Sequence, residues 1–202
     1  MTRKGREAGP LIAALVAVWA AVAMPGWWLC GGVPAPLASM AHAGDPATSG
    51  APNDAAITTL RHRRLRLPID NAAVERLEGM FARTRDGNPP HEAVDIVAPR
   101  DTPIHAVEDG TIARLFTSNA GGLTIYQFDP DQRFSYYYAH LERYAPGLAE
   151  RQRVMRGDVI GFVGTSGNAP PDTPHLHFAI FELEAERQWW SGRPIDPYRV
   201  FK

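Results

Sequence analysis

The sequence predicts a mainly β fold, with a compact antiparallel β-sheet or barrel-like core and one short N-terminal helix. Seven runs between residues 92 and 181 are rich in Ile, Val, Tyr and Phe, and they alternate apolar with polar positions or are continuously apolar. Both patterns are typical of strands. Gly, Pro, Asp and Asn separate the runs, which favours short turns between neighbouring strands. Only one convincing helical pattern occurs across residues 59–202.

The helical pattern comes first in this part of the chain. Val74, Leu77 and Phe81 fall at helical spacing, and Asp70 can cap the helix N-terminus. The predicted strands follow at residues 92–97, 103–107, 111–116, 123–128, 134–140, 159–163 and 175–181. Asp109-Gly110 lies between the second and third strands and predicts a tight hairpin, because both residues tolerate positive φ. Residues 164–174 form a long loop before the last strand.

The N-terminal residues differ in composition from the rest of the chain. Basic residues at positions 3, 4 and 6 precede an uncharged apolar run, and Ala41-His42-Ala43 supplies the small residues of a cleavage site. This layout is typical of a bacterial export signal. The alternative is an uncleaved membrane anchor, because residues 11–30 provide 20 uncharged positions, enough to span a bilayer. Both interpretations predict export to the periplasm or cell envelope, with attachment to the inner membrane in the second case.

Three segments follow from these boundaries. Residues 1–43 are the signal peptide or anchor, residues 44–58 are a flexible linker rich in Gly, Pro, Ala, Ser, Asn and Asp, and residues 59–202 are the folded domain. A basic run at residues 61–66 is interpreted as a solvated face, with contact to an anionic envelope polymer as the alternative.

Charge and cysteine content exclude several classes of protein and site. The 202 residues carry 21 Lys and Arg against 22 Asp and Glu, a formal net charge of -1. This balance lacks the basic surface that a nucleic-acid partner requires. The single cysteine, Cys30, rules out a disulfide within the chain and a cysteine-based zinc site. A metal site would therefore have to use histidines and carboxylates.

Four residues at two places in the predicted sheet provide such a set. His91 and Asp95 are four positions apart, and His175 and His177 are two apart. Side chains at even separations on an extended strand share a face. Two such strands could direct His91, Asp95 and either His175 or His177 toward one point. Two imidazoles and one carboxylate bind zinc in catalytic sites and leave a fourth position for water.

At these residues the sequence resembles a known family. Residues 91–95 (HEAVD), 138–141 (YAHL) and 175–178 (HLHF) resemble, in order, the three signatures of the lysostaphin-type, glycyl-glycine endopeptidase-like zinc metallopeptidases. The resemblance extends from about residue 67 to residue 181. It implies a zinc metallopeptidase domain over residues 59–202, with an antiparallel sheet and a groove walled by loops. It also implies hydrolysis of the peptide cross-links between peptidoglycan stem peptides by a zinc-activated water.

The resemblance assigns a role to each of five residues. His91, Asp95 and His177 would be the ligands of one Zn²⁺ ion, and His140 and His175 would be the uncoordinated catalytic histidines. The main alternative is a non-catalytic envelope protein that binds wall material or activates another cell-wall hydrolase. All five positions are present, which favours the enzyme. A third possibility keeps the chemistry but changes the substrate to Gly-rich proteins or glycine bridges.

Two aromatic clusters lie outside these motifs. The consecutive tyrosines Tyr136, Tyr137 and Tyr138 are expected to divide between the two faces of a strand, so that one can line the groove. Trp189 and Trp190 follow the last predicted strand, and packing at the core or edge is the default expectation. Pairs of aromatic side chains also stack on sugars, which peptidoglycan contains.

Overall fold

The computed structural model describes residues 50–84 and 90–202. The predicted signal peptide or anchor at residues 1–43 and the linker residues 44–49 lie outside the described residues. In the part of the chain that is described, no helix combines the length and the apolar character needed to cross a membrane.

Nine antiparallel strands of the described residues form one sheet, which confirms the mainly β fold. The elements are α1 (Gly50–Arg63), a short 3-10 helix (Val74–Leu77), β1 (Val94–Val97), β2 (Pro103–His105), β3 (Gly110–Ser118), β4 (Gly122–Phe128), β5 (Phe134–Tyr144), β6 (Arg153–Val154), β7 (Val159–Val163), β8 (His175–Glu182), β9 (Arg193–Ile195) and α2 (Pro197–Phe201). The main strand order is β1-β8-β5-β4-β3-β6, with β9 beside β8 and β2 beside β7.

The sheet is open, so the barrel-like part of the expectation is corrected. Among the described strands, β1 pairs with β8 alone and β6 with β3 alone. The physical reason lies in β5, whose first half pairs with β8 through Ala139 and whose second half pairs with β7 from Leu141 onward. The sheet therefore branches along β5 instead of closing on itself.

The two faces of the sheet have different roles. On β5, Phe134, Tyr136 and Tyr138 point to one face and are fully buried. Their period of two is that of a strand with one core face. Helices α1 and α2 pack over this face, where Leu60 belongs to the same apolar cluster and Phe201 is partly buried against it. The opposite face is free of these helices and carries the polar residues described below.

Helix α1 differs from the linker expected over residues 44–58, because residues 50–58 are helical. Ala56, Ile57 and Leu60 form one buried stripe on this helix, and the burial of that stripe stabilises the helix in spite of the polar composition around it. The domain boundary expected at residue 59 therefore falls inside a helix.

The helix expected after Asp70 is replaced by the four-residue 3-10 helix, which begins after Ala73 without a side-chain cap. The Asp70 carboxylate instead accepts a hydrogen bond from Arg66 at 2.5 Å. Gly79, with a φ of 71°, follows closely and ends the helical path before Phe81. Leu77 is buried in the apolar core, as its spacing indicated.

The basic run at residues 61–66 does not form one solvated face. Arg63 is only 22% exposed and forms ion pairs with Glu108 and Asp129. Arg61 donates to the backbone carbonyl of Arg199, at 2.7 Å. These contacts hold α1 against the rest of the domain.

Candidate metal centre

The pairing of β1 with β8 places two of the predicted ligands opposite each other. Asp95 on β1 lies directly across from His177 on β8. Directly opposed residues in an antiparallel pair project to the same face. The Asp95 Oδ1 atom is 3.0 Å from His177 Nδ1. A one-residue shift in this register would place the two side chains on opposite faces.

His91 reaches the same point from outside the strand. The expectation that His91 and Asp95 share one strand face is wrong, because β1 begins only at Val94 and Glu92 has a φ of 51°. This left-handed residue turns the chain, and a hydrogen bond from the His91 N–H to the Arg83 carbonyl holds the turn at 3.1 Å. His91 Nε2 then lies 3.1 Å from Asp95 Oδ1 and 3.1 Å from His177 Nδ1.

These three donor atoms form a nearly equilateral triangle that fits a metal ion. The ligand atoms of a tetrahedral zinc ion, each about 2.0–2.1 Å from the metal, lie about 3.3 Å apart. The observed separations of 3.0–3.1 Å are close to that value. Burial lowers the pKa of His177, although its hydrogen bond with Asp95 opposes that effect. The neutral imidazole that burial favours is the form that binds metal.

His175 lies beside this group and is not one of its three members. It shares the face of His177, and its Nε2 is 3.9 Å from Asp95 Oδ1. Its Nδ1 donates to the backbone carbonyl of Thr173 at 2.8 Å. The spacing of the residues did not decide whether His175 or His177 joins His91 and Asp95. In the structure, His177 completes the triangle.

His140 is brought to the site by an irregularity in β5. Strict alternation would put His140 on the core face with Tyr138. Instead the pairing of β4 with β5 shifts register between Ile125 and Leu123, and His140 has a φ of 62°. A bulge with a left-handed residue changes the face of the sheet from which the side chain projects. The His140 ring consequently lies 4.9 Å from the ring of His175 and 5.6 Å from that of His177, measured between centroids.

The hydrogen bonds of His140 determine which ring nitrogen is available for chemistry. His140 Nδ1 lies 2.9 Å from the Ser166 carbonyl oxygen, which can only accept, so this nitrogen carries the proton. Nε2 is then the nitrogen with the lone pair. Burial lowers the pKa of His140 to about 4, with smaller contributions of the same sign from His177 and His175. His140 is therefore neutral at pH 7.

A cavity of about 220 Å³ joins these groups. All five predicted site residues line it, together with Ala139 and Tyr137. Of the three consecutive tyrosines, Tyr137 is the one that lines this cavity. The turn at Gly121 and Gly122 forms one wall, and Gly122 has a φ of 64° and packs against Ser166. A side chain there would be strained and would displace Ser166.

Sequence reasoning missed the groups that orient the two catalytic candidates. These are the backbone carbonyls of Ser166 and Thr173. Any residue type can supply a carbonyl, so no sequence pattern could have identified them. The long loop at residues 164–174 was the only available indication, since both carbonyls come from it.

Residues 89–197 match the sequence profile of peptidase family M23. The chain belongs to this family. The resemblance drawn from the three motifs is thereby confirmed. Those motifs lie inside the matched residues, and so do all five candidate site residues.

Curated M23 relatives are larger than the matched region. The chain is 34% identical over 122 residues to an L-Ala--D-Glu endopeptidase from Bacillus subtilis (strain 168), covering 58% of this chain and 36% of that protein. It is 32% identical over 111 residues to the DD-carboxypeptidase/endopeptidase Mpg of Neisseria meningitidis serogroup B, covering 54% of this chain and 22% of that protein. The chain thus spans about a third or less of these M23 relatives.

A solved structure of another peptidase supports the fold. The catalytic domain of lysostaphin from Staphylococcus simulans is similar with a TM-score of 0.50 and 23% identity, over 64% of this chain and 98% of that domain. At this identity the likeness shows the fold alone. It confirms the mainly antiparallel sheet that the sequence predicts.

Proposed function

We propose that this M23 peptidase is an exported zinc metalloendopeptidase that hydrolyses peptide cross-links of bacterial peptidoglycan. The observation that carries the proposal is the triangle of His91 Nε2, Asp95 Oδ1 and His177 Nδ1 beside two further histidines. Two imidazoles and one carboxylate are a catalytic rather than a structural zinc set, because they leave a coordination position open. The names of the two relatives described above refer to D-amino acids, which are characteristic of peptidoglycan stem peptides.

Zinc, when bound by these three residues, would supply a Lewis acid that lowers the pKa of a water molecule and polarises the scissile carbonyl. The surrounding residues hold the ligands in place. Asp95 and His177 are fixed by the register of β1 and β8, and His91 is fixed by its backbone hydrogen bond to Arg83. Rigid placement of this kind is what a metal-assisted hydrolysis requires of the protein.

His140 is suited to accept the proton of the attacking water. Its Nδ1–H is held by the Ser166 carbonyl, and the lowered pKa keeps the Nε2 lone pair free at neutral pH. The same nitrogen can then deliver the proton to the leaving amine. His175 is held in the corresponding way by the Thr173 carbonyl. When its ring also carries a proton on Nε2, that N–H can donate to the polarised oxygen of the substrate.

Export is proposed on the N-terminal sequence. The basic residues at positions 3, 4 and 6 and the apolar run that follows them support delivery to the periplasm or cell envelope. Residues 11–30 would attach the protein to the inner membrane if cleavage after Ala43 does not occur.

The decisive experiment is digestion of purified peptidoglycan sacculi by the zinc-loaded full-length protein, with the released muropeptides identified by mass. We expect cross-linked dimers to disappear and the matching monomers to accumulate. The masses of the products identify the bond that is cleaved.

Two variants control the digestion. His140→Asn should bind one zinc ion and release no monomers, whereas His62→Asn, at an exposed position on α1, should behave like the wild type. If the wild type binds zinc and leaves every muropeptide unchanged, the endopeptidase proposal fails. The non-catalytic alternative then takes its place.

A further inference from the structure

A row of aromatic rings extends from the candidate metal centre across the same face of the sheet. Tyr137 lies 5.9 Å from His177, and Tyr126 lies 4.7 Å from Tyr137. Trp189 then lies 4.8 Å from Tyr126, and Trp190 lies 5.0 Å from Trp189, all measured between ring centroids. The row is continuous because each ring contacts the next.

Strand register builds the first part of this row. Tyr137 on β5 is paired with Tyr126 on β4, and Tyr126 is paired with Arg114 on β3. Paired residues project to the same face, so these side chains share the face of Ala139 and His177. The loop between β8 and β9 then folds back and places Trp189 over Tyr126 and Phe116.

The far end of the row is exposed to solvent. Trp190 is 44% exposed and Phe116 is 38% exposed. The guanidinium of Arg114 lies 5.8 Å from the ring centroid of Trp189 and forms an ion pair with Glu150 at 3.3 Å. Packing at the edge of the sheet accounts for Trp189, but it leaves the ring of Trp190 accessible. Exposed aromatic rings bordered by polar groups are typical of binding surfaces.

The length of the row matches the distance between a cross-link and a sugar. Three strand spacings separate β8 from β3, a distance of about 14 Å. An extended peptide of four residues, the usual length of a peptidoglycan stem, spans about 13–14 Å. A stem peptide whose cross-link lies at the metal centre would therefore bring its glycan end to β3, where Trp189 packs against Phe116.

We propose that Trp189 and Trp190, with Arg114 and Glu150 at their border, form a subsite for an amino sugar of the glycan strand. This inference rests on the proposed function and names the part of the substrate that the site recognises beyond the peptide. The apolar C–H face of a pyranose ring stacks on the exposed indole of Trp190, since aromatic rings offer a large rigid contact area. The guanidinium and the carboxylate bind the hydroxyl and acetamido groups at the rim of the sugar ring.

Calorimetric binding to the full-length protein tests this subsite without requiring catalysis. The probes are a disaccharide-tetrapeptide monomer and the same tetrapeptide without its sugars. We expect the wild type to bind the disaccharide-tetrapeptide at least tenfold more tightly. Trp190→Ala should reduce this ratio of the two affinities to about one, whereas Trp190→Phe should keep most of it. The control Met155→Ala, at an apolar position that is 68% exposed, should leave the ratio unchanged.

Activity provides the second readout. On cross-linked muropeptide dimers, Trp190→Ala should lower kcat/KM about tenfold, and on the corresponding sugar-free peptide dimers it should leave kcat/KM within twofold. Equal affinity of the wild type for both probes would overturn the subsite, as would an unchanged ratio in Trp190→Ala. A dimeric wild type that becomes monomeric in Trp190→Ala would also overturn it, because the patch would then be a contact between two copies. Sugar-dependent binding without any cleavage would support the subsite and contradict the endopeptidase.

Discussion

Two clusters of ionisable residues lie on opposite faces of the sheet, and they differ in where their positive charge comes from. On the core face, Asp129 is buried, and its Oδ2 lies 2.8 Å from Arg63 Nη1. On the other face, Asp95 lies against the ring nitrogens of His91 and His177. The first cluster contains its own permanent cation, whereas the second contains residues that are neutral when they bind metal.

This difference separates a structural cluster from a functional one. Arg63 also pairs with Glu108, at 3.2 Å, and Asp129 Oδ1 accepts hydrogen bonds from the N–H groups of Arg133 and Phe134, both at 2.7 Å. A buried carboxylate with this set of partners is satisfied within the protein. The triangle around Asp95 would be completed instead by the divalent cation that we propose. An aspartate therefore stabilises the fold on one face, and on the other face an aspartate is a candidate metal ligand.

The largest expected effect comes from removing the carboxylate of the metal centre. Asp95→Ala should lower zinc affinity by more than about 100-fold, a loss larger than that caused by changing a residue behind the ligands, and should abolish cleavage. The free energy of unfolding of the metal-free protein should fall only by the loss of the hydrogen bond between Asp95 and His177, by about 1–3 kcal/mol. Chelator competition and urea unfolding measure the two quantities. Retention of one tightly bound zinc ion by Asp95→Ala would contradict the assignment of this ligand.

The second effect concerns catalysis without metal loss. His140→Asn should lower kcat by roughly 10²–10⁴-fold, the range typical of a lost general base. Zinc stoichiometry should stay at one, because His140 is outside the triangle of candidate ligands. Asn tolerates the left-handed backbone at this position, which limits structural side effects. Zinc content and single-turnover cleavage, measured on the same preparation, test the separation, and loss of zinc from this variant would show that His140 is a ligand.

A substitution in the core-face cluster of Arg63, Glu108 and Asp129 should lower the stability of the protein and leave zinc binding unchanged. Arg63→Met removes the cation and leaves Glu108 and Asp129 buried together, which is expected to cost about 3–5 kcal/mol of unfolding free energy. Zinc affinity should change little, because none of these residues contacts the metal centre. Urea unfolding of the zinc-free protein gives the free energy, and Arg64→Met supplies the control at an adjacent position. A stable Arg63→Met variant with weakened zinc binding would mean that the two clusters are coupled.

The smallest expected effect is a change in the pH dependence of stability. Burial lowers the pKa of His140 to about 4, against about 6.5 in the unfolded chain. Between these values the unfolded state binds more protons than the native state, so the stability of the metal-free protein rises with pH. The contribution of His140 to the free energy of unfolding is fully present above about pH 6.5 and is lost as the pH falls toward 4. The slope should therefore be shallower in His140→Asn, and an unchanged slope in urea unfolding would contradict the lowered pKa.

Local patterns in the sequence account for much of the sheet. Each of the seven predicted strands coincides with an observed strand, because alternation of apolar and polar residues depends only on neighbouring positions. Helix α1 was missed because its residues 50–58 have the composition of a linker, and only burial of Ala56, Ile57 and Leu60 stabilises it. The two short strands β6 and β9 were missed as well, since two or three residues are too few to show a period.

The sequence by itself determined the family and the chemical types of the site residues, through three ordered motifs and the even spacing of His175 and His177. The tertiary structure decided how these residues meet. It set the register that places Asp95 opposite His177, the left-handed turn at Glu92 that brings in His91, and the bulge that moves His140 from the core face to the site. Strand periodicity is a local property, whereas register and left-handed backbone depend on contacts with neighbouring strands and loops. The candidate ligands could therefore be named from the chain, but only the folded sheet shows that three of them lie around one point.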